Sequence, residues 1–348
     1  SSVIKIISYN MRCKMRNFIL AIAGIVIGTV AHAEILIGFG APALDGGQRA
    51  IMNGFVSKAE EKGWEVVVSN ANSDAQQQAN QLDNFIAQGV DAIVTVPVDS
   101  KAVCSSVERA QDAGILFYTI DRSTIGCKVN MTVQADNYLA GQQAAEELVR
   151  LLTVKHSKAK GTVLELQGNM GQNVAQLRGG GFNDVMKKHP DIKVISKPTQ
   201  WQAENFGQAT LDVVGSNAID GIYYHSDCVG TRPISAALDQ LNKNYKRGHK
   251  DHIFRVAVDG CSDGLQAIKD GWSDQASSQP LPDFGIIVNW IEKELNNEQI
   301  QLGSVIQQGA PWSPAKIFES DSGLMLNLAT SNVTSANVYN PALWGNIK

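Results

Sequence analysis

The sequence predicts an α/β protein of two lobes, each built on a doubly wound parallel β-sheet, with a multi-strand hinge between them. The length of 348 residues is enough for about two domains. From Glu34 onward, short apolar runs alternate with segments of helical spacing, and the alternation begins again at Gly161, which is typical of βα units. Two of the apolar runs, 115–121 and 253–259, both end at an aspartate. Ligands of open α/β sheets bind where the strands end, so these two residues are candidates for a binding site.

The elements of the first lobe follow one another in a regular order. Strands are predicted at 35–39, 65–69, 92–96 and 115–121, and helices at 48–62, 74–88 and 101–113. Gly63, Gly89 and Gly114 each follow one of these helices, as expected for residues that end a helix with a positive φ.

The elements of the second lobe repeat this order. Strands are predicted at 161–166, 193–198, 221–224 and 253–259, and helices at 175–188, 205–214, 234–241 and 265–269. After the break at Pro280-Leu281-Pro282, a helix at 285–295 is expected to return to the first lobe, and 316–318 is the last predicted strand. We therefore assign 34–136 and about 280–303 to the N-terminal lobe, 137–279 and about 304–318 to the C-terminal lobe, and 319–348 to a C-terminal extension.

The first 33 residues predict export from the cytoplasm. Arg12, Lys14 and Arg16 precede an apolar run at 18–30, and Ala31-His32-Ala33 follows it. This order of a cationic region, an apolar region and a small-x-small site is typical of a secretory signal peptide. The run is shorter than the roughly 20 residues of a membrane-spanning helix. We expect cleavage near Ala33 and a periplasmic protein, with a buried core helix as the alternative.

A hydrolase motif occurs where the second of the two aspartate-ending strands stops. Gly260-Cys261-Ser262-Asp263-Gly264 fits the G-x-S-x-G pattern, with a predicted strand before it and a helix after it. In α/β hydrolases the catalytic histidine follows this serine in the chain, whereas all six histidines here precede Ser262. We therefore expect no enzyme, and an exported hydrolase using Ser262 is the alternative.

The glycines near the start of the first lobe resemble a dinucleotide-binding fingerprint. Gly38-Phe39-Gly40-Ala41-Pro42-Ala43 has the glycine spacing, but the next predicted strand ends in Ser69-Asn70 and not in an acid. The formal net charge of −4 provides no basic footprint for nucleic acid. No cofactor and no nucleic-acid partner is therefore predicted. No metal is predicted either, because no cluster of Asp, Glu or His has the spacing of metal ligands, with calcium bound by a loop left open as the alternative.

Polar side chains at the strand ends are candidates for ligand contacts. Asp121 and Asp259 can accept hydrogen bonds, and Arg122 presents a rigid fork of donors. Trp201 lies in a polar run just after a strand. It can be either a partly buried packing residue or a stacking surface for a ligand, and both interpretations remain open. Arg178 lies within a predicted helix before three glycines, where a solvated arginine is the ordinary interpretation.

Four cysteines follow the leader, at positions 104, 127, 228 and 261. An even number of cysteines in an oxidising compartment suggests disulfides. Cys104 and Cys127 follow strands of the first lobe, and Cys228 and Cys261 follow strands of the second. Neighbouring loops favour the pairs 104–127 and 228–261, while four free thiols remain the alternative.

Several segments taken together resemble a known family of receptors. From Ile35 to about Ile317, the chain resembles ribose-type periplasmic sugar-binding proteins, the type I solute receptors of ABC transporters. The matching segments are Ile86-Ala87-Gln88-Gly89-Val90-Asp91-Ala92-Ile93, Pro97-Val98-Asp99-Ser100, Thr119-Ile120-Asp121-Arg122, Ala135-Asp136-Asn137 and Val258-Asp259-Gly260. Repressors of the lactose type share this fold, but they begin with a helix-turn-helix where this chain has the leader pattern.

The resemblance implies a fold, a function and partners. The fold would be periplasmic binding protein-like I. The protein would be a monomeric receptor for a monosaccharide or related polyol, which it delivers to an inner-membrane ABC permease. A chemotaxis or sensor-kinase receptor is the alternative, with a chemoreceptor as the partner.

The resemblance also implies roles for individual residues. Asp121 and Arg122 would hydrogen-bond sugar hydroxyls, and Trp201 would stack on the sugar ring. Arg178, Asp259, Gln279 and the pair Ser226-Asp227 would complete the site, and Asp136 and Asn137 would lie at the hinge. The first loop of the family supplies stacking aromatics, whereas this chain reads Ala43-Leu44-Asp45-Gly46-Gly47-Gln48-Arg49. We therefore expect Asp45, Gln48 or Arg49 to contact the ligand from this loop.

Overall fold

Two separate β-sheets form the framework of the protein. The structure is a computed structural model that describes residues 34–44 and 46–347. The predicted leader, its cleavage site near Ala33 and the candidate ligand residue Asp45 lie outside the described residues. Within the described ranges, none of the helices has both the length and the apolar character needed to cross a bilayer.

The strands and helices alternate as the sequence predicts. The strands are β1 Leu36–Ala41, β2 Glu65–Asn70, β3 Ala92–Thr95, β4 Leu116–Ile120, β5 Val129–Ala135, β6 Gly161–Gln167, β7 Ile192–Pro198, β8 Gly221–Tyr224, β9 Phe254–Asp259, β10 Gln275–Ser278, β11 Gly303–Val305, β12 Ala315–Ser320, β13 Gly323–Leu328 and β14 Ser331–Thr334. The α-helices are α1 Gly46–Glu61, α2 Ala75–Gln88, α3 Cys104–Asp112, α4 Asn137–His156, α5 Asn173–Met186, α6 Ala203–Ser216, α7 Asp227–Gln240, α8 Ser262–Lys269 and α9 Val288–Leu295. Two 3-10 helices span Leu281–Ile287 and Trp344–Asn346.

Both sheets are mainly parallel, with antiparallel strands at one edge. The first has eight strands in the order β11-β12-β13-β5-β4-β3-β1-β2, and the second has six in the order β14-β10-β9-β8-β6-β7. β11 and β12 run antiparallel to their neighbours in the first sheet, as β14 does in the second. The predicted architecture of two α/β lobes is confirmed.

Apolar residues from both faces of each sheet form the cores. In the first sheet, Phe39 and Tyr118 pack toward α1 and the Leu281–Ile287 helix, whereas Ile93 and Phe117 pack toward α2 and α3. The second sheet is likewise enclosed by one cluster around α4 and α5 and another around α6 and α7. Burial of both faces explains why these strands read as continuous apolar runs.

Three segments of the chain cross between the two sheets. They connect β5 to α4, β10 to the Leu281–Ile287 helix, and β13 to β14. Hydrogen bonds join the first crossing to the third. Asp136 N donates to Leu328 O at 2.7 Å, and Gln143 Nε2, in α4, donates to Thr330 O at 2.9 Å. Asp136 also caps α4 by accepting from Leu139 N at 2.9 Å. The predicted hinge residues Asp136 and Asn137 therefore lie at the first crossing.

The C-terminal part of the chain departs from the predicted lobe limits. Residues 304–318 were assigned to the C-terminal lobe, but β11 and β12 belong to the first sheet, because β13 pairs with β5 and β12 pairs with β13. The predicted extension at 319–348 contains β13 and β14, one strand for each sheet. Its Val333 and Val338 are buried against Leu265 and Ile268. The end of the chain is thus part of both lobes.

Candidate ligand-binding cleft

The two aspartates that end β4 and β9 lie in the same cleft. Asp121 follows β4 with a φ of 67°, and Asp259 ends β9 with a φ of 109°. Positive φ values are uncommon outside glycine and cluster at functional sites. Both residues line a cavity of 320 Å³ and a second cavity of 530 Å³. The cavities also share Gln279, from the second crossing segment.

The carboxylate of Asp259 is held by three donors. Arg178 Nη2 lies 2.9 Å from Oδ1, Gln279 Nε2 donates to Oδ1 at 2.6 Å, and Ser226 Oγ donates to Oδ2 at 2.5 Å. The Arg178 and Asp259 side chains are only 6% and 10% exposed. Charge-assisted hydrogen bonds compensate for the desolvation of such a buried pair.

Arg178 is fixed by further hydrogen bonds on the protein side. Its Nε donates to Asn137 Oδ1 at 3.0 Å, and its Nη1 donates to His225 O at 2.6 Å. Asn137 is the first residue of α4, immediately after the first crossing. The interpretation of Arg178 as a solvated arginine is therefore wrong. Its side chain is buried and hydrogen-bonded to the hinge region.

A buried histidine and glutamate lie behind Arg178. Gly168 N donates to His225 Nδ1 at 3.1 Å, so the ring proton lies on Nε2, which donates to Glu165 Oε1 at 3.0 Å. Burial lowers the pKa of His225 and thus favours its neutral form. Burial alone would raise the pKa of Glu165, but the hydrogen bond from His225 brings it below its ordinary value.

Trp201 forms part of the wall of the smaller cavity. Its backbone and that of Gln200 have positive φ values of 60° and 56°. Its indole Nε1 donates to Gln172 Oε1 at 2.7 Å, and its ring lies against Gly168, where a Cβ atom would clash with it. The Arg178 guanidinium carbon is 5.9 Å from the ring centroid. The ring is partly exposed, which leaves a surface available for stacking.

The first lobe contributes the second charged pair of the cleft. Asp121 Oδ2 accepts from Gln48 Nε2 at 3.3 Å. Burial raises the pKa of Asp121, and the neighbouring Arg122 opposes this effect. Arg122 is exposed, and its Nη1 donates to Pro97 O at 3.0 Å. All three side chains line one or both cavities.

Two predicted ligand contacts are placed elsewhere. Asp227 is 1% exposed, and its carboxylate accepts from Gly260 N and Cys261 N, each at 3.0 Å. It therefore holds the backbone beneath the cleft, and burial raises its pKa. Arg49 is exposed, lies in the first turn of α1 and donates from Nη2 to Leu44 O at 3.2 Å, just before the helix. Neither side chain lines the two cavities of the cleft as the described residues define them.

The favoured cysteine pairing is confirmed. Cys104 bonds to Cys127, and Cys228 bonds to Cys261, with Cα–Cα distances of 5.7 and 5.3 Å. Four side chains place atoms that could coordinate a metal within 4.8 Å of one another, namely those of Asp227, Cys228, Asp259 and Cys261. Because the two sulfurs form a disulfide and both carboxylates accept hydrogen bonds from protein donors, this cluster is explained without a metal.

One aromatic residue of the cleft, Trp344, is not predicted from the sequence. Trp344, in the C-terminal 3-10 helix, lines the larger cavity together with Ile51 and Leu281 of the first lobe. Its Nε1 donates to Asp259 O at 2.8 Å. The only indication in the sequence is an isolated tryptophan near the end of a polar segment, which does not predict such a contact.

Comparison with known proteins adds evidence independent of this geometry. A family model described as "Periplasmic binding protein domain" matches residues 37–299. The xylitol-binding protein of Mycolicibacterium smegmatis is 32% identical over 221 residues, which are 63% of this chain and 60% of that protein. The ribose import binding protein RbsB of Bacillus subtilis is 29% identical over 224 residues, 64% of this chain and 68% of that protein.

A solved structure matches the fold. A crystal structure of a galactofuranose binding protein superposes with a TM-score of 0.66 at 23% identity, covering 88% of this chain and 97% of that one. The fold and the extent of the family match together confirm the resemblance to ribose-type periplasmic sugar-binding proteins. The chain belongs to the periplasmic binding protein family.

Proposed function

We propose that the protein is a periplasmic receptor that closes its two lobes around a monosaccharide or related polyol and delivers it to an inner-membrane ABC permease. The observation that supports this most directly is the placement of two acid–arginine pairs in one cleft. Asp121 and Arg122 lie on the first lobe, and Arg178 and Asp259 lie on the second. Trp201 adds an aromatic face beside them.

These groups suit a ligand rich in hydroxyls. Each hydroxyl can donate to a carboxylate and accept from a guanidinium, so both kinds of charged group are used. Hydrogen bonds to charged groups contribute about 1.5–3 kcal/mol each when water is excluded. An aromatic ring such as that of Trp201 can cover the apolar face of a sugar ring. The named relatives bind xylitol and ribose, both small and polyhydroxylated.

We propose that the cleft binds its ligand without changing it chemically. Ser262 lines the larger cavity, but among the described residues that line either cavity there is no histidine to activate it. His225 lies behind the site, with both ring nitrogens occupied by Gly168 and Glu165. The exported hydrolase therefore has no supporting geometry in the cleft.

Export, assembly and docking complete the proposal. Residues 1–33 would direct secretion and be removed near Ala33, which N-terminal sequencing of the secreted protein would test. The receptor would act as a monomer, with the permease and not a chemoreceptor as its membrane partner. Co-purification with permease subunits from detergent extracts would distinguish these partners.

Calorimetric titration with pentoses, hexoses and sugar alcohols tests the ligand class. We expect one of these compounds to bind, and Asp121→Asn to weaken its binding more than tenfold with little change in folding stability. Asp83→Asn is the matched control, because Asp83 is on the same lobe, 47% exposed and paired with Arg109 at the surface. Absence of binding by all compounds, or an unchanged affinity in Asp121→Asn, would contradict the proposal.

A further inference from the structure

The larger cavity extends the cleft beyond the part that holds the two arginines. It measures 530 Å³, against 320 Å³ for the cavity beside Trp201, and both lie in the range of about 300–1,000 Å³ typical of small-molecule sites. Asp121, Asp259 and Gln279 line both cavities and thus lie at the boundary between them. The cleft has room for ligand atoms on both sides of these three side chains.

The lining of the larger cavity combines apolar and polar groups. Ile51, Leu281 and Trp344 supply apolar surface, while Gln48 and Ser262 supply hydrogen-bonding groups. A sugar ring has the same division, with an apolar C–H face and a polar edge. The smaller cavity has the two arginines of the site, whereas the larger one has neither. Asp263 also lines the larger cavity, so its lining offers a second ring an apolar surface and hydrogen-bond acceptors but no guanidinium.

The C-terminal segment fixes Trp344 from both sides. Before it, Val333, Val338 and Leu343 are buried against α8. After it, Asn346 accepts from Lys269 Nζ at 2.6 Å and donates from Nδ2 to Val338 O at 2.9 Å.

The backbone around Trp344 also touches the end of β9. A Cβ atom at Gly345 would clash with Gly260 O. Together with the hydrogen bond from Trp344 Nε1 to Asp259 O, this contact ties the indole to the strand end that carries the binding-site aspartate. The ring is thus a preorganised wall of the cavity and not a loosely attached tail residue.

We infer that the cleft binds a two-ring glycoside, with one sugar unit between Trp201 and the arginines and the second ring against Trp344. This inference rests on the proposed function, since it assumes a sugar in the smaller cavity. Trp344 would supply, from the end of the chain, the aromatic surface that the loop at 43–49 lacks. Residues of the C-terminal segment would then determine specificity.

The test compares ligands of increasing size on one protein. D-xylose, D-ribose, D-glucose and D-galactose are titrated calorimetrically, each beside its methyl glycoside, its phenyl glycoside and a disaccharide containing it. We expect at least one two-ring compound to bind about tenfold or more tighter than its monosaccharide, the effect of one well-placed aromatic contact. A gain with the disaccharide alone identifies a second sugar ring, and a gain with the phenyl glycoside alone identifies an aryl aglycone.

Variants of the C-terminal segment locate the second ring. Trp344→Ala should abolish the gain, so that it lowers the affinity for the two-ring ligand about tenfold more than the affinity for the monosaccharide, and Trp344→Phe should restore part of the gain. Tyr339→Ala is the matched control, because Tyr339 is an aromatic residue of the same segment and 72% exposed. Equal affinity for one-ring and two-ring ligands would overturn the inference but leave the proposed function intact. Equal losses for both ligand sizes in Trp344→Ala would assign Trp344 a structural role and overturn it too. Failure of every sugar to bind would overturn both.

Discussion

Replacing Arg178 by alanine should weaken both ligand binding and folding, by amounts that the structure allows us to work out. The change leaves the Asp259 carboxylate, which is 10% exposed, without its cation. It also removes the donors to Asn137 Oδ1 and His225 O. Breaking a buried ion pair costs about 3–5 kcal/mol, against a typical domain stability of about 5–15 kcal/mol. The variant should therefore fold, with a clearly reduced free energy of unfolding.

The effect on affinity follows from the donors that remain for a ligand. A guanidinium has five N–H groups, and in the described structure Arg178 donates to Asn137, His225 and Asp259. A ligand can receive the others, and one hydrogen bond to a charged group is worth about 1.5–3 kcal/mol. We therefore expect the Kd of the best sugar to rise about 10- to 150-fold.

Calorimetric titration and urea unfolding measure these two effects separately. Arg150→Ala is the matched control, since Arg150 lies on the same lobe and its side chain is 60% exposed. Adding Asp259→Asn to Arg178→Ala should recover at least about 1 kcal/mol of stability, because an unpaired buried charge causes much of the loss. An Arg178→Ala protein with unchanged affinity, or without loss of stability, would refute this reasoning.

Three further predictions concern the surroundings of the site. Trp201→Ala should raise the Kd about tenfold and Trp201→Phe less, as measured by calorimetry. Burial lowers the pKa of His225, so its contribution to stability is complete above the ordinary histidine pKa of about 6.5 and decreases as pH falls below it. His225→Gln should flatten that decrease in urea titrations. Removing the Cys228–Cys261 bond, which closes a 33-residue separation, by a double alanine variant should lower the free energy of unfolding by about 3–4 kcal/mol.

The local pattern of the sequence was sufficient to predict most of the framework. Apolar runs buried on both faces and helices ended by glycine specify their own structure, and Gly63, Gly89 and Gly114 have the positive φ values expected of them. The strand-end aspartates could be found because a parallel sheet places every carboxyl end at one edge. These features depend on neighbours along the chain, which the sequence displays directly.

The features that were missed depend on contacts between distant residues. β10 and β14 read Gln-Ala-Ser-Ser and Ser-Asn-Val-Thr, which have little strand character by themselves. They become neighbours in the second sheet only because the chain between them crosses to the first lobe and returns. The 20-residue helix α4 was not predicted, because much of its buried face consists of small residues such as Ala140 and Ala144 and leaves a weak apolar stripe. The orientation of Asp227 toward the backbone of Gly260 depends on the same kind of distant contact.

The two aspartates that the sequence treats alike differ in what they can offer a ligand. Asp259 already accepts from Arg178, Gln279 and Ser226, so most of the roughly four lone-pair sites of its carboxylate are occupied. Its main effect must be to hold the Arg178 guanidinium in the cleft. Asp121 accepts a longer hydrogen bond, 3.3 Å, from Gln48, and its half-buried carboxylate gains more from a hydroxyl donor. We therefore propose that recognition depends on an acceptor from the first lobe and a positioned donor from the second, and that both groups contact one ligand only when the lobes face each other across it.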